Sequence, residues 1–155
     1  MLDLLLRGRG PRGLRAFDPD LILSQNGCDG HALDPLTHLS ATTRLYEHVP
    51  RRIHDLAHEL CSGRWVATGG GGYDIWRVVP RAWTSLWATV SHQELPEKAP
   101  EPWLSKWSGM SPVRLPPLMR DDPEDYPRGP GVVKIAERNL RTVDEVAEKV
   151  LSRIQ

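Results

Sequence analysis

Four consecutive glycines at residues 69–72 constrain this chain more than any other feature of its sequence. They follow an apolar run of strand length, Trp65–Thr68, and are followed directly by Tyr73. Glycine allows positive φ angles and removes every side chain that would block a close approach of another group. In α/β proteins, a strand that ends in a glycine turn can place a polar group at the carboxyl edge of a parallel sheet. The pattern therefore predicts either a site that contains Tyr73 or a plain turn that joins a strand to a helix.

A second β-α unit precedes the glycines. Residues 21–24 form a short apolar run, which is typical of a strand buried on both faces of a parallel sheet. A helix is expected from Ser40, as its N-cap, to a stop at Gly63, and Pro50 is expected to kink or split that helix. Another helix is expected with Pro80 in its first turn and an apolar stripe of Trp83, Leu86, Trp87 and Val90. Two β-α units in series predict an α/β fold with a parallel sheet flanked by helices.

Composition divides the chain into three parts. Residues 1–93 carry both β-α units and open with an apolar stretch, residues 1–6, that is interpreted as part of a helix ending near Phe17. Residues 94–131 hold most of the 14 prolines, so an extended or partly disordered segment is expected there. Residues 132–155 return to helical periodicity, and Thr142 with Glu145 has the spacing of a capping box.

Charge and cysteine content exclude several classes of protein. Twenty basic residues balance twenty acidic ones, so no net field favours nucleic acid or an anionic membrane as a partner. No run approaches the roughly 18–20 apolar residues that span a bilayer. Cys28 and Cys61 lack the spacing of a disulfide framework or a cysteine-based zinc site, so reduced thiols in a cytoplasmic protein are expected.

Several polar side chains follow the two predicted strands and are expected at the same sheet edge. Such carboxylates and imidazoles are candidate ligands for zinc, although Asp34 before Pro35 is also a common start of a turn. His54 and His58 are four residues apart on the predicted helix; a solvated helix face is favoured over a shared metal ion. The candidates that follow the first strand are Asp29, His31, Asp34 and His38.

Four ordered motifs resemble the histone deacetylase superfamily, nearest to the bacterial acetoin-utilisation deacetylases. They are FDPDLILSQNGCD at 17–29, LDPL at 33–36, GGGGY at 69–73 and PRAWT at 80–84. Their order and spacing match over roughly residues 14–90. The resemblance implies an arginase/deacetylase-like three-layer α/β fold with a zinc ion at the carboxyl edge of its parallel sheet.

The resemblance also implies roles for individual residues. Asp34 matches an aspartate that binds zinc in the family, and Tyr73 matches the tyrosine that polarises the acetyl carbonyl. Gly70, Gly71 and Gly72 match the backbone that lines the substrate channel. Zinc polarises a carbonyl and lowers the pKa of bound water, while a phenol opposite it donates a hydrogen bond to the developing oxyanion. Asp29 matches a recurrent position near the site, without a ligand role.

The chain also departs from that family. It lacks the paired histidines and the Asp-x-His zinc ligands, which the family carries in its amino-terminal half; Asp29 and His31 stand in a different loop. The chain therefore resembles the carboxyl-terminal half of a zinc-dependent deacetylase, which acts on acetyl-lysine-type or acetylated small-molecule substrates, and it is expected to be inactive alone.

Two other interpretations remain. The chain can be a non-catalytic remnant or interaction module, because half a sheet leaves an open edge that pairs with an amino-terminal half or with a second copy. A nucleotide-binding role for the glycine run is disfavoured, since the GxGxxG spacing and the P-loop lysine are both missing.

Overall fold

A computed structural model describes residues 10–37, 39–126 and 129–154 of the 155-residue chain. The helices are α1 (Gly10–Phe17), α2 (Thr43–Cys61), α3 (Val79–Val90), α4 (Glu101–Trp107) and α5 (Val132–Ile154), and the strands are β1 (Ile22–Gln25) and β2 (Trp65–Thr68). A 3₁₀ turn, Pro123–Asp125, lies between α4 and α5. The first compact unit comprises residues 1–23, 51–66 and 127–155, and the second comprises residues 24–50 and 67–126. The helix expected over residues 1–6 lies outside the described residues.

Strands β1 and β2 pair in parallel as a two-stranded sheet, which confirms the predicted α/β class. The amide of Ile22 donates to the carbonyl of Arg64, a register that sets Leu23 beside Val66. The prediction of a strand buried on both faces is wrong, because Leu23 is 69% exposed and Val66 is 46% exposed. Burial alternates along each strand, so that one face of the sheet packs inward and the other is open.

The predicted start of helix α2 is wrong, whereas its predicted end is confirmed. It starts at Thr43, and Ser40 is not its N-cap but a loop residue with a φ of 53°. The helix runs through Pro50 without being split. It ends at Cys61, and Gly63 follows with a φ of 78°, which confirms the stop signal because glycine adopts this left-handed conformation without strain.

The first unit is built around the end of α2. Its buried cluster consists of Ile22, Leu56, Ala57 and Cys61. Helix α1 packs against α5, and Arg15 on α1 forms two hydrogen bonds with Glu59 on α2, at 2.7 and 2.9 Å. The predicted capping box is wrong, because Thr142 lies inside α5 and its hydroxyl donates to the carbonyl of Arg138.

Helix α3 confirms Pro80 in its first turn but buries a different face from the one that its apolar residues predict. Trp87 is 70% exposed, and Trp83 and Val90 are also exposed. The small side chains of α3 face inward instead, because Ala82 joins the buried cluster of Cys28 and Val78, and Ala88 joins that of Met119. The buried residues are Arg81, Ala82, Ser85 and Ala88.

Residues 94–131 contain regular structure as well as extended chain. Lys98 and Leu118 form an antiparallel bridge, in which Ala99 donates to the carbonyl of Pro117 at 2.9 Å. Leu95, Ala99 and Met119 are buried in the cluster that includes Ala88. Among the described residues, no helix combines the length and the apolar character that crossing a bilayer requires.

Candidate active site

The loop that follows β1 lies directly against the glycine run that follows β2. The amide of Cys28 donates to the carbonyl of Gly71 at 2.6 Å, and the amide of Asn26 donates to that of Thr68 at 3.0 Å. The indole of Trp83 then donates to the carbonyl of Asn26 at 3.1 Å. The carboxyl ends of the two strands therefore meet, as the parallel sheet predicts.

The glycines are required here for close approach and not for unusual backbone angles. None of residues 69–72 has a positive φ, in contrast to Gly63. A Cβ atom on Gly70 would lie 2.8 Å from the amide nitrogen of Gly27, and one on Gly72 would lie 2.6 Å from the sulfur of Cys28. Both distances are shorter than any contact that a real Cβ atom makes, so a side chain at these positions would push the two loops apart.

The carboxylate of Asp34 connects the two loops and is almost fully buried, with 5% exposure. Its Oδ1 accepts a hydrogen bond from the amide of Leu36, the contact of a turn that starts at an aspartate. Its Oδ2 accepts a hydrogen bond from the amide of Tyr73, and both of these hydrogen bonds are 2.9 Å long. One carboxylate oxygen of Asp34 thus makes the predicted turn contact, and the other joins its loop to Tyr73.

Tyr73 presents its side chain outward from this junction. The residue is 51% exposed, and within the described part of the chain its phenol makes no hydrogen bond. The next residue, Asp74, is buried and accepts a hydrogen bond from the amide of Arg77 at 2.7 Å, while its other oxygen pairs with the Arg77 guanidinium at 2.6 Å. Asp74 therefore fixes the turn into α3, and the Tyr73 side chain is exposed beside that turn.

His31 does not face the glycine run as a metal ligand. Its ring is fully buried, its Nδ1 accepts a hydrogen bond from the amide of Leu33 at 3.0 Å, and its Nε2 lies 2.8 Å from a carboxylate oxygen of Asp121. Because Nδ1 accepts, the hydrogen resides on Nε2 and is donated to Asp121. Both ring nitrogens are thus engaged. His38, the other histidine expected in this cleft, lies outside the described residues.

Asp121 is the centre of a buried polar network that sequence reasoning missed. Its Oδ1 accepts from Arg81 at 2.6 Å, and its Oδ2 accepts from the amide of Thr43 at 2.7 Å as well as from His31. Its own amide donates to the hydroxyl of Thr43 at 2.7 Å. Burial raises the pKa of Asp121, but the hydrogen bonds from His31 and Thr43 and the charge of Arg81 outweigh it and hold that pKa well below its usual range.

The sequence offered a signal for only part of this network. Arg81 stands in the PRAWT motif, so its importance was visible before its partner was known. Asp121 follows His31 by 90 residues and lies in the proline-rich segment, where a buried carboxylate has no local pattern.

Two further titratable groups in this region are held in their neutral forms. Burial, reinforced by the charges of Asp29 and Asp34, raises the pKa of the Cys28 thiol to about 11, so that this cysteine is not a nucleophile at neutral pH. Burial likewise raises the pKa of Tyr46, whose ring stacks on His31 with centroids 6.2 Å apart. These groups pack the base of the site, and neither carries charge into it.

Asp34 fits a zinc ion as a single ligand. Each of its oxygens accepts one hydrogen bond and keeps a second lone pair, so the carboxylate retains coordinating capacity. Catalytic zinc sites use three protein ligands, and Asp34 belongs to no such set of histidine, cysteine or carboxylate donors among the residues that the structure describes. The described residues around Asp34 therefore offer one candidate ligand and do not form a complete zinc site.

A model of the histone deacetylase domain matches residues 6–90, a region that contains all four sequence motifs and both loops of this site. The chain belongs to the histone deacetylase domain family. The resemblance stated from its motifs is thereby confirmed.

Two curated relatives match most of the length of this chain. It is 48% identical over 139 residues to the acetoin utilization protein AcuC of Bacillus subtilis (strain 168), a match that covers 90% of this chain and 36% of that relative. It is 41% identical over 138 residues to the acetoin utilization protein AcuC of Staphylococcus xylosus, covering 88% of this chain and 35% of that relative. The chain thus spans about a third of the length of these relatives.

Proposed function

We propose that this chain is the carboxyl-terminal part of a zinc-dependent deacetylase with an arginase-like three-layer domain. Asp34 is one zinc ligand, Tyr73 donates a hydrogen bond to the reacting amide carbonyl, and the backbone of residues 70–72 lines the substrate channel. The substrates are acetyl-lysine-type side chains or acetylated small molecules. Because the described residues supply one zinc ligand, the chain is inactive alone and hydrolyses amides only with an amino-terminal part of the domain. Both cysteines are free thiols, in keeping with action in the reducing cytoplasm.

The observation that carries this proposal is the 2.9 Å hydrogen bond from the Tyr73 amide to the Asp34 carboxylate. It joins the residue proposed to bind the metal to the residue proposed to bind the oxyanion, although 39 positions separate them in the sequence. Burial of Asp34 and exposure of Tyr73 fit these two roles, since the ligand is held rigidly and the phenol can reach a substrate.

The chemistry assigned to this chain is electrostatic. The Tyr73 phenol stabilises the negative charge that develops on the carbonyl oxygen during attack by water, and the loss of one such donor typically costs a factor of about 10²–10³ in rate. When bound, zinc supplies polarisation of the amide carbonyl and activation of water. The tight contact between the loops keeps the Tyr73 backbone fixed beside Asp34.

The decisive experiment combines this chain with the amino-terminal part of the Bacillus subtilis relative. The two polypeptides are co-expressed and purified with zinc, and acetate release from an acetyl-lysine peptide is measured. We expect activity only from the complex, and we expect Tyr73→Phe to lower the rate by about 10²–10³ because the oxyanion loses its donor. Asp34→Asn should also lower the zinc content of the complex.

Tyr126→Phe is the matched control, because it removes a phenol from the same unit and should keep the wild-type rate. A complex whose activity is insensitive to Tyr73→Phe would contradict the role of Tyr73. A complex that forms with zinc-free, inactive protein would instead support the second candidate function, a non-catalytic interaction module.

The open face of the sheet favours that second candidate. Leu23 and Val66 are adjacent, apolar and exposed, and no third strand pairs with β1 or β2 within the described ranges. A sheet with open strand edges and an exposed apolar face can bind another polypeptide. Its occupant under this proposal is the amino-terminal part of the same domain, which can dock there whether or not the complex is catalytic.

A further inference from the structure

Two histidines in the first unit lie together, well separated along the chain from Asp34 and Tyr73. His54 and His58 are one helical turn apart on α2, and their rings are 4.5 Å apart between centroids. The Nε2 atom of His54 lies 3.2 Å from the Nε2 atom of His58. The two imidazoles therefore present the same ring atom to a common point.

Two arrangements satisfy the facing nitrogens. One Nε2 can carry a hydrogen and donate it to the other, as in the 3.2 Å contact between the two rings. Alternatively, both rings can carry their hydrogen on Nδ1, and the two Nε2 lone pairs then bind one metal ion at the shared point. With zinc–nitrogen bonds of about 2.0–2.1 Å, two ligands of a tetrahedral site are separated by about 3.3 Å, which is close to the separation in this pair.

Both rings lie close to neighbouring residues of the first unit. The ring of His54 lies edge-on to Trp65, with centroids 6.2 Å apart. A Cβ atom on residue 63 would lie 3.0 Å from Cε1 of His58, so glycine at this position makes room for the imidazole. His58 is exposed and His54 is half-buried, so the shared point is reachable from solvent. The two Nε2 atoms already lie 3.2 Å apart, so an ion can bind both without a large movement of either ring.

We infer that His54 and His58 form a binding site for a borderline divalent transition metal such as Cu²⁺, Ni²⁺ or Zn²⁺. Imidazole nitrogen suits these ions, and two rings on one helix act as a chelate. The other coordination positions are taken by water or further donors. The site is independent of the proposed deacetylase function, since it uses neither Asp34 nor Tyr73. A bound metal ion would link two successive turns near the end of α2 and stabilise that part of the helix.

The test measures metal binding to the full 155-residue chain by competition with a chromophoric chelator, using Ni²⁺, Zn²⁺ and Cu²⁺ salts as the probes. His54→Gln and His58→Gln should each weaken Ni²⁺ binding by at least tenfold, because each removes one of two donors. Cu²⁺ should bind more tightly than Ni²⁺ or Zn²⁺. His48→Gln is the matched control, since it removes a histidine from the same helix outside the pair, and it should bind as the wild type does.

A spectroscopic readout on the wild-type chain does not depend on any variant folding. Electron paramagnetic resonance of the chain with one equivalent of Cu²⁺ should show coupling to at least two imidazole nitrogens, and His58→Gln should lose one of them. Unchanged affinity in the variants, or fewer than two coupled nitrogens in the wild type, would overturn the inference. Loss of the ion in Asp34→Asn would also overturn it, because the metal would then belong to the deacetylase site.

Discussion

Gly72 lies between the sulfur of Cys28 and a methyl group of Val79, at distances that leave no space for a Cβ atom. The sequence alone suggested two uses for such a glycine, a positive φ angle or a close approach, and only the second one applies. A run of glycines indicates that side chains do not fit at these positions, but it does not identify the atoms that exclude them. At Gly72 those atoms belong to Cys28 and Val79. These neighbours are visible only after the chain has folded.

Gly72→Ala should destabilise the chain by about 1–3 kcal/mol, because the added methyl group must displace packed atoms of Cys28 or Val79. The measurement is urea unfolding, in which the midpoint should fall while the slope m stays constant. Gly109→Ala is the control, since a Cβ atom there meets nothing within 4 Å and the change should stay within about 0.5 kcal/mol. Equal midpoints for the two variants would show that the loops can separate at little cost.

At the scale of elements, the strands and most helix positions followed from local patterns, whereas the buried faces did not. β2 has its predicted bounds, and α3 carries Pro80 in its first turn. The inward face of α3 nevertheless carries alanine and serine, while Trp87 points to solvent. Periodicity identifies an apolar stripe on a helix, but the elements packed against the helix decide which side of it is buried. In α3 the small side chains are buried because they allow neighbouring segments to approach the helix most closely.

The exposed face of the sheet can be tested as a docking surface by a substitution at Leu23. Leu23→Thr should weaken the association with the amino-terminal part of the relative by about tenfold or more, because burying one leucine contributes about 1.5–3 kcal/mol. Threonine keeps the strand propensity, so the sheet itself should persist. The dissociation constant is measured by fluorescence or calorimetric titration of the two polypeptides.

Leu39→Thr is the matched control for this titration, since Leu39 is also an exposed leucine and lies in a loop of the second unit. It should leave the dissociation constant unchanged. If both variants bind as the wild type does, the exposed sheet face is not the docking surface. Concentration-dependent sedimentation of the chain alone, abolished by Leu23→Thr, would show that a second copy occupies the face instead.

At the scale of the whole molecule, the network around Asp121 joins segments that are far apart in sequence. His31, Thr43 and Arg81 all donate to one carboxylate, which has 4% side-chain exposure. Such a group is costly to bury unless every partner is present, so the network fixes a single arrangement of these segments. It also supports the loop that contains Asp34, since the amide of Asp34 donates to the carbonyl of His31 at 2.9 Å.

This network gives stability a defined pH dependence. The pKa of Asp121 is lowered in the folded state, so the unfolded chain takes up a proton first as pH falls. The contribution of Asp121 is therefore fully present above its unfolded pKa of about 4 and is lost as pH falls from there towards the folded value. We expect Asp121→Asn to destabilise the chain by about 3–5 kcal/mol at neutral pH, because Arg81 is left buried without its partner.

The matching measurement is the free energy of unfolding as a function of pH between about 2 and 7. The difference between the wild type and Asp121→Asn should shrink below about pH 4, where the carboxylate is progressively neutralised in the unfolded state. Asp122→Asn is the control, because Asp122 is exposed and the amide oxygen can still accept from Glu124. Parallel curves for the wild type and Asp121→Asn would contradict the lowered pKa.

The sequence by itself determined the α/β class, both strands, the ends of several helices and the family, because these depend on local periodicity, glycine and proline punctuation and ordered motifs. It also marked Asp34 and Tyr73, whose roles in catalysis remain proposals. Only the tertiary structure decided that Asp34 and Tyr73 are hydrogen-bonded, that His31 turns to Asp121, and that His54 and His58 converge on one point. The reason is physical: hydrogen bonds and excluded volume act between neighbours in space, and the chain brings those neighbours from distant positions.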